Sequence, residues 1–151
     1  MGFSRLKIGS QIRLLTPLFL LTASFWAIRI VLGEIDAPSW LLTIFSATVA
    51  IPLTVFLATL GIFARKEASY GAVLVSALFL VGAAQLLICG TILFSLLTGM
   101  HTIYTAPEFS PFEEPQHSLH LLSHLLAIPV GALFGFAMGS LVLWALRKMV
   151  P

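Results

Sequence analysis

The sequence predicts an all-α integral membrane protein, a four-transmembrane-helix up-and-down bundle with both termini in the cytoplasm. Three observations predict it: the composition, four long apolar runs, and a one-sided distribution of charge. Of the 151 residues, 59% are hydrophobic and 9% are charged, and the mean hydropathy is +1.05. A soluble domain carries about 25% charged residues, so this chain cannot cover a water-facing surface. The composition therefore excludes a soluble enzyme, a disordered protein and a nucleic-acid binder, and makes the lipid bilayer the expected partner.

Each apolar run is long enough to cross a bilayer, which takes about 20 helical residues. The first run ends at Gly33, and the second is entered through Asp36-Ala-Pro-Ser39, where cap residues and an early proline suit a first helical turn. The last two runs are longer and should tilt or protrude from the bilayer. We predict one membrane domain over residues 1–151, with helices at about 14–33, 40–63, 69–100 and 118–146 and an outer loop at 101–116.

The charged residues divide between the two sides of this arrangement. Seven of the eight basic residues fall on one side with a single acid, and five of the six acids fall on the other side with Arg29. The positive-inside rule then places both termini in the cytoplasm, and a bacterial inner membrane is the expected location. The basic side carries Arg5, Lys7, Arg13, Arg65, Lys66, Arg147 and Lys148, and the acidic side carries Glu34, Asp36, Glu108, Glu113 and Glu114.

Small residues mark the faces expected to pack, because they let helix backbones approach closely in lipid. The fourth predicted helix carries Gly131, Gly135 and Gly139, and on a helical wheel Gly131 and Gly139 each lie within about 40° of Gly135. A small-residue stripe also runs along the second predicted helix. These two faces are expected to meet each other or to meet a second copy of the chain. The second stripe consists of Thr43, Ser46, Ala47, Ala50, Thr54, Ala58 and Gly61.

All four histidines lie in one segment, from the end of the third predicted helix through the outer loop into the fourth. His117, His120 and His124 have i, i+3 and i+7 spacing, which places them within about 60° on a helical wheel and on the glycine face. They should therefore point into the bundle or an interface. Imidazoles four residues apart can ligate one divalent metal ion. The candidate metal ligands are His117, His120, His124, Glu113, Glu114 and His101.

Several chemistries fit this histidine–carboxylate cluster. His and carboxylate ligands suit Zn²⁺, Cu²⁺ or Fe²⁺, and an imidazole could instead ligate haem or chlorophyll. Proton handling is a third alternative, since imidazole titrates near neutral pH. A purely structural alternative is also open, in which histidines at the membrane interface hydrogen-bond the loop carboxylates. The sequence contains no His-Glu-x-x-His motif, so a zinc protease is not expected.

A few other polar or helix-breaking residues fall inside the predicted spans. Arg29 is expected to snorkel outward or to pair with an acid such as Glu34, and Gln85 is expected to make an interhelical hydrogen bond. Pro52 and Pro129 should kink their helices.

The sequence shows no catalytic residue set, so enzymatic activity is not expected. The first functional hypothesis is a structural or accessory membrane protein that acts through helix packing, as a homo-oligomer or as a subunit of a membrane complex. The alternative is a metal-binding or tetrapyrrole-binding membrane protein that uses the histidine–carboxylate cluster.

Overall fold

The computed structural model describes residues 8–66, 69–105 and 117–149, and in these ranges the protein is helical with no strand. The all-α fold class is confirmed. Four segments of the described chain are long and apolar enough to cross a membrane, and they coincide with the four predicted spans. The helices are α1 (Ile8–Glu34), α2 (Ser39–Ile44), α3 (Ala47–Ala64), α4 (Tyr70–Thr98) and α5 (His117–Met149).

The second span differs from the single helix expected over 40–63, because it is broken between α2 and α3. The Ser46 amide bonds the Thr43 carbonyl instead of the Leu42 carbonyl that an uninterrupted helix would use. The freed Leu42 carbonyl accepts a hydrogen bond from Arg29 Nη1 at 2.7 Å. The break therefore lies one to two turns before Pro52, at a position where a side chain from α1 replaces a helical hydrogen bond.

The helix α4 lies at the centre of the bundle. It packs against α1, α3 and α5, and α3 also packs against α1 and α5, whereas no Cα atoms of α1 and α5 lie within 8 Å of each other among the described residues. The Ser69 hydroxyl caps the start of α4 by accepting from the Ala72 amide at 3.1 Å, and Gly99 ends the helix in the left-handed conformation.

A ladder of close contacts joins α5 to α4. An added Cβ at Gly131 would lie 2.9 Å from a Val81 methyl, one at Gly135 would lie 3.3 Å from the Ala77 Cβ, and one at Gly139 would lie 2.6 Å from a Val73 methyl. Successive contacts are four residues apart on both helices, in the antiparallel direction. The two other contacts of the glycine face are with Val55 and Thr59 on α3. The glycine face of α5 is therefore packed within one chain, against α4 and α3.

The chain after α4 folds back against α1. Ile103 and Tyr104 are buried, and an added Cβ at Gly33 would lie 2.8 Å from the Ile103 Cβ. The Arg29 guanidinium carbon lies 5.8 Å from the centre of the Tyr104 ring. Burial raises the pKa of the Tyr104 phenol to about 12, although the Arg29 cation opposes the rise.

Candidate functional site

A chain of hydrogen-bonding side chains lies where the start of α5 faces α4. His124 Nδ1 is 2.7 Å from Gln85 Oε1, and His124 Nε2 is 3.1 Å from His120 Nε2. His120 is 5% exposed and Gln85 is 9% exposed, so both are shielded by the apolar bundle. The interhelical hydrogen bond expected of Gln85 is present, and its partner is a histidine.

The Gln85 oxygen determines which nitrogen of His124 carries the proton. An amide carbonyl oxygen only accepts hydrogen bonds, so His124 donates from Nδ1–H and presents the lone pair of Nε2. This lone pair is aimed toward His120. His124 therefore offers a neutral nitrogen ligand, which is the form that a metal ion or a hydrogen-bond donor requires.

The two rings approach each other most closely through their Nε2 atoms. The ring centroids are 4.8 Å apart but the Nε2 atoms are only 3.1 Å apart. Two Nε2 atoms 3.1 Å apart can both lie about 2.0–2.1 Å from one ion, which is the length of a zinc–imidazole bond. The spacing therefore suits a shared ion as well as a hydrogen bond between the rings.

Local structure explains why these three side chains meet. His120 and His124 are one helical turn apart on α5, so their rings lie side by side. Gln85 is one turn beyond Val81, the residue of α4 that contacts Gly131. The glycine ladder thus sets the α4–α5 spacing that lets the Gln85 side chain reach His124.

The other predicted ligands are placed differently. His101 is exposed in the turn after α4, and in the described part of the chain no third His, Cys, Asp or Glu joins His120 and His124 in a group able to hold a metal. His117 is the first residue of α5, but its side chain is outside the described set. Glu113 and Glu114 also lie outside the described residues.

Sequence reasoning did not assign Gln85 to this site, although it placed Gln85 in the middle of an apolar helix. The available signal was its polarity, since an amide buried in a membrane helix needs a partner. What the sequence lacks is the register between α4 and α5, which selects His124 as that partner.

The described residues define an all-helical protein whose four long apolar segments have membrane-spanning dimensions. Between the first turns of α5 and the middle of α4, His120, His124 and Gln85 form a hydrogen-bonded group in which His120 and Gln85 are buried and His124 is half-buried. No known protein family matches the chain, and no curated protein or solved structure matches it.

Proposed function

We propose that this chain is a multi-pass membrane protein that binds a divalent transition-metal ion between His120 and His124. The 3.1 Å distance between His120 Nε2 and His124 Nε2 is the observation that carries the proposal. An ion about 2.0–2.1 Å from both Nε2 atoms would subtend an angle of about 100°, close to the tetrahedral value. An ion bound linearly at that bond length would need nitrogens about 4 Å apart, whereas they are 3.1 Å apart. The geometry therefore favours Zn²⁺, Cu²⁺ or Fe²⁺ over two-coordinate Cu⁺.

Two imidazoles leave further coordination positions for other ligands. Glu113, Glu114 and His117 are the side chains proposed for those positions, because carboxylate and imidazole suit the same ions. His101 is exposed and is not grouped with His120 and His124 in the described part of the chain, so the proposed site does not include it.

A small ion fits the histidine pair better than haem or chlorophyll does. A tetrapyrrole ligand needs an imidazole nitrogen that faces the macrocycle. His120 Nε2 lies 3.1 Å from His124 Nε2, so the neighbouring ring takes the space in front of that nitrogen that a macrocycle would need. A visible absorption spectrum of the purified chain distinguishes the two ligands, since a bound tetrapyrrole absorbs strongly and Zn²⁺ does not.

Removing both imidazoles is expected to abolish metal binding. The wild-type chain, purified in detergent and equilibrated with Zn²⁺, should retain about one ion per chain, and the His120→Ala/His124→Ala variant should retain none. At free Zn²⁺ about 100 times the dissociation constant, the ion should also stabilise the wild-type fold by about 2.7 kcal/mol. Elemental analysis measures the first effect and thermal unfolding the second.

The matched control is His101→Ala, which removes an exposed imidazole outside the pair. It should bind Zn²⁺ like the wild-type chain. Equal metal content in the wild-type chain and the double variant would contradict the proposal.

We further propose that both termini face the cytoplasm of a bacterial inner membrane, with the histidine pair near the outer side. Basic residues lie at the predicted cytoplasmic ends of two helices, as the positive-inside rule requires. They are Arg65 and Lys66 after α3, and Arg147 and Lys148 in the last turn of α5. An alkaline phosphatase fusion at the C-terminus should be inactive, because that enzyme folds only where disulfides form, and a fusion in the 101–116 loop should be active. The reverse pattern would contradict this orientation.

A structural or accessory role, through packing with a second copy or a partner subunit, is the other proposal. The face at Gly131, Gly135 and Gly139 is occupied within the chain, so a partner would have to use another surface. On α4, an added Cβ at Gly82 or Gly90 would meet no atom of the described chain within 4 Å. Close approach by a partner helix is sterically possible there.

A further inference from the structure

We propose that Gln85 is the positioning residue of this metal site, which fixes His124 with Nε2 toward the ion. The inference rests on the proposed function, because it assigns a role at the same site. A histidine that ligates a metal nearly always donates its other ring N–H to a carboxylate, carbonyl or water. Gln85 Oε1, at 2.7 Å from His124 Nδ1, supplies such an acceptor from a neighbouring helix.

The Gln85 amide suits this position because its oxygen accepts a hydrogen bond without adding a charge. Gln85 is 9% exposed and lies between Ala84 and Leu86 on the most buried span. A carboxylate there would have to be buried without compensation whenever the ion is absent, which is costly in an apolar interior. The neutral acceptor holds the ring in the ligating tautomer both before and after the ion binds.

The position of Gln85 is fixed by packing that does not involve the metal. Val81 and Ala77, one and two turns before Gln85 on α4, contact Gly131 and Gly135 of α5. These contacts hold α4 and α5 in one register. Gln85 therefore orients His124 through a preformed scaffold, and the acceptor oxygen is the part of the side chain that matters.

Cobalt binding tests this role, because Co²⁺ substitutes for Zn²⁺ and its visible absorption reports the ligand geometry. The experiment titrates the full chain in detergent with Co²⁺ and then displaces it with Zn²⁺. Gln85→Met, which removes the acceptor at similar length, should weaken binding about 10–100-fold and shift the absorption band. Gln85→Glu keeps an acceptor oxygen, so it should bind Co²⁺ at least as tightly as the wild-type chain.

Thr91→Val is the matched control for loss of a buried polar contact on α4. It removes the hydroxyl that accepts from Trp26 Nε1 at 3.0 Å, on the side of α4 that faces α1. Its affinity and spectrum should equal those of the wild-type chain.

The outcomes separate this inference from the proposed function. Wild-type affinity and an unchanged band in Gln85→Met would overturn the role of Gln85 while the metal site stands. So would a Gln85→Glu chain that binds Co²⁺ about 10–100-fold more weakly than the wild-type chain, and this measurement decides the matter if Gln85→Met fails to fold. A wild-type chain that binds neither Co²⁺ nor Zn²⁺ would overturn the proposed function itself.

Discussion

Replacing Gly139 by leucine is expected to prevent α5 from packing on the bundle and to lower the free energy of unfolding by about 3 kcal/mol or more. The first added carbon, the Cβ, would lie 2.6 Å from a Val73 methyl on α4 and 2.8 Å from Thr59 Oγ1 on α3. Both neighbours are β-branched and stiff about their first side-chain torsion. The clash would therefore have to be relieved by moving a helix away from both of its partners.

Gly82→Leu is the matched control, because an added Cβ there meets no atom of the described chain within 4 Å. In a helix, leucine is intrinsically favoured over glycine by up to about 1 kcal/mol, so Gly82→Leu should be neutral or slightly stabilising. Unfolding in mixed micelles, followed by circular dichroism, compares the two. Equal midpoints for Gly139→Leu and the wild-type chain would contradict the close packing of α5.

The same control protein also tests the accessory role. If a second copy or partner packs over Gly82, the leucine should shift the assembly to smaller size on a native gel while the fold stays intact. An unchanged size would argue against this face as an interface.

Arg29→Met is expected to destabilise the protein by about 1–3 kcal/mol, because it removes the charged donor to the Leu42 carbonyl. That carbonyl has lost its helical partner, since the Ser46 amide bonds Thr43 instead. Arg29 also lies over the Tyr104 ring, a contact that methionine cannot replace. Arg29 is half-buried, so its guanidinium has lost only part of its hydration in the folded protein. Removing the charge should therefore recover little desolvation energy to offset the lost hydrogen bond.

Unfolding midpoints in mixed micelles and amide hydrogen exchange around Ser46 measure this effect. Arg29→Lys keeps a cationic donor and should recover part of the loss. The control is Arg13→Met, at an exposed position nearer the start of the same helix, which should change stability by less than about 0.5 kcal/mol. An Arg29→Met protein as stable as that control would show that α2 and α3 keep their break without Arg29.

The candidate site was predictable only in part. Spacing along one helix follows from the period of the helix, so His120 and His124 were placed on one face, and that face was matched to the glycines. The partner on another helix was not predictable, because Gln85 is 39 residues away from His124 along the chain. Likewise, the Leu42 carbonyl was not predictable as a partner of Arg29, because only the break between α2 and α3 frees it.

Composition and charge by themselves determined the helical class and the four apolar segments, because 59% hydrophobic and 9% charged residues leave few structures that satisfy the backbone away from water. The tertiary structure alone decided which helices touch, where the second span breaks, and how closely the two imidazoles converge. Contacts between helices depend on the register of the helices and on the directions of their side chains. Shifts of a few tenths of an ångström make or break such contacts, and hydropathy carries no information about them. The 3.1 Å between His120 and His124 is such a quantity, and the proposed function depends on it.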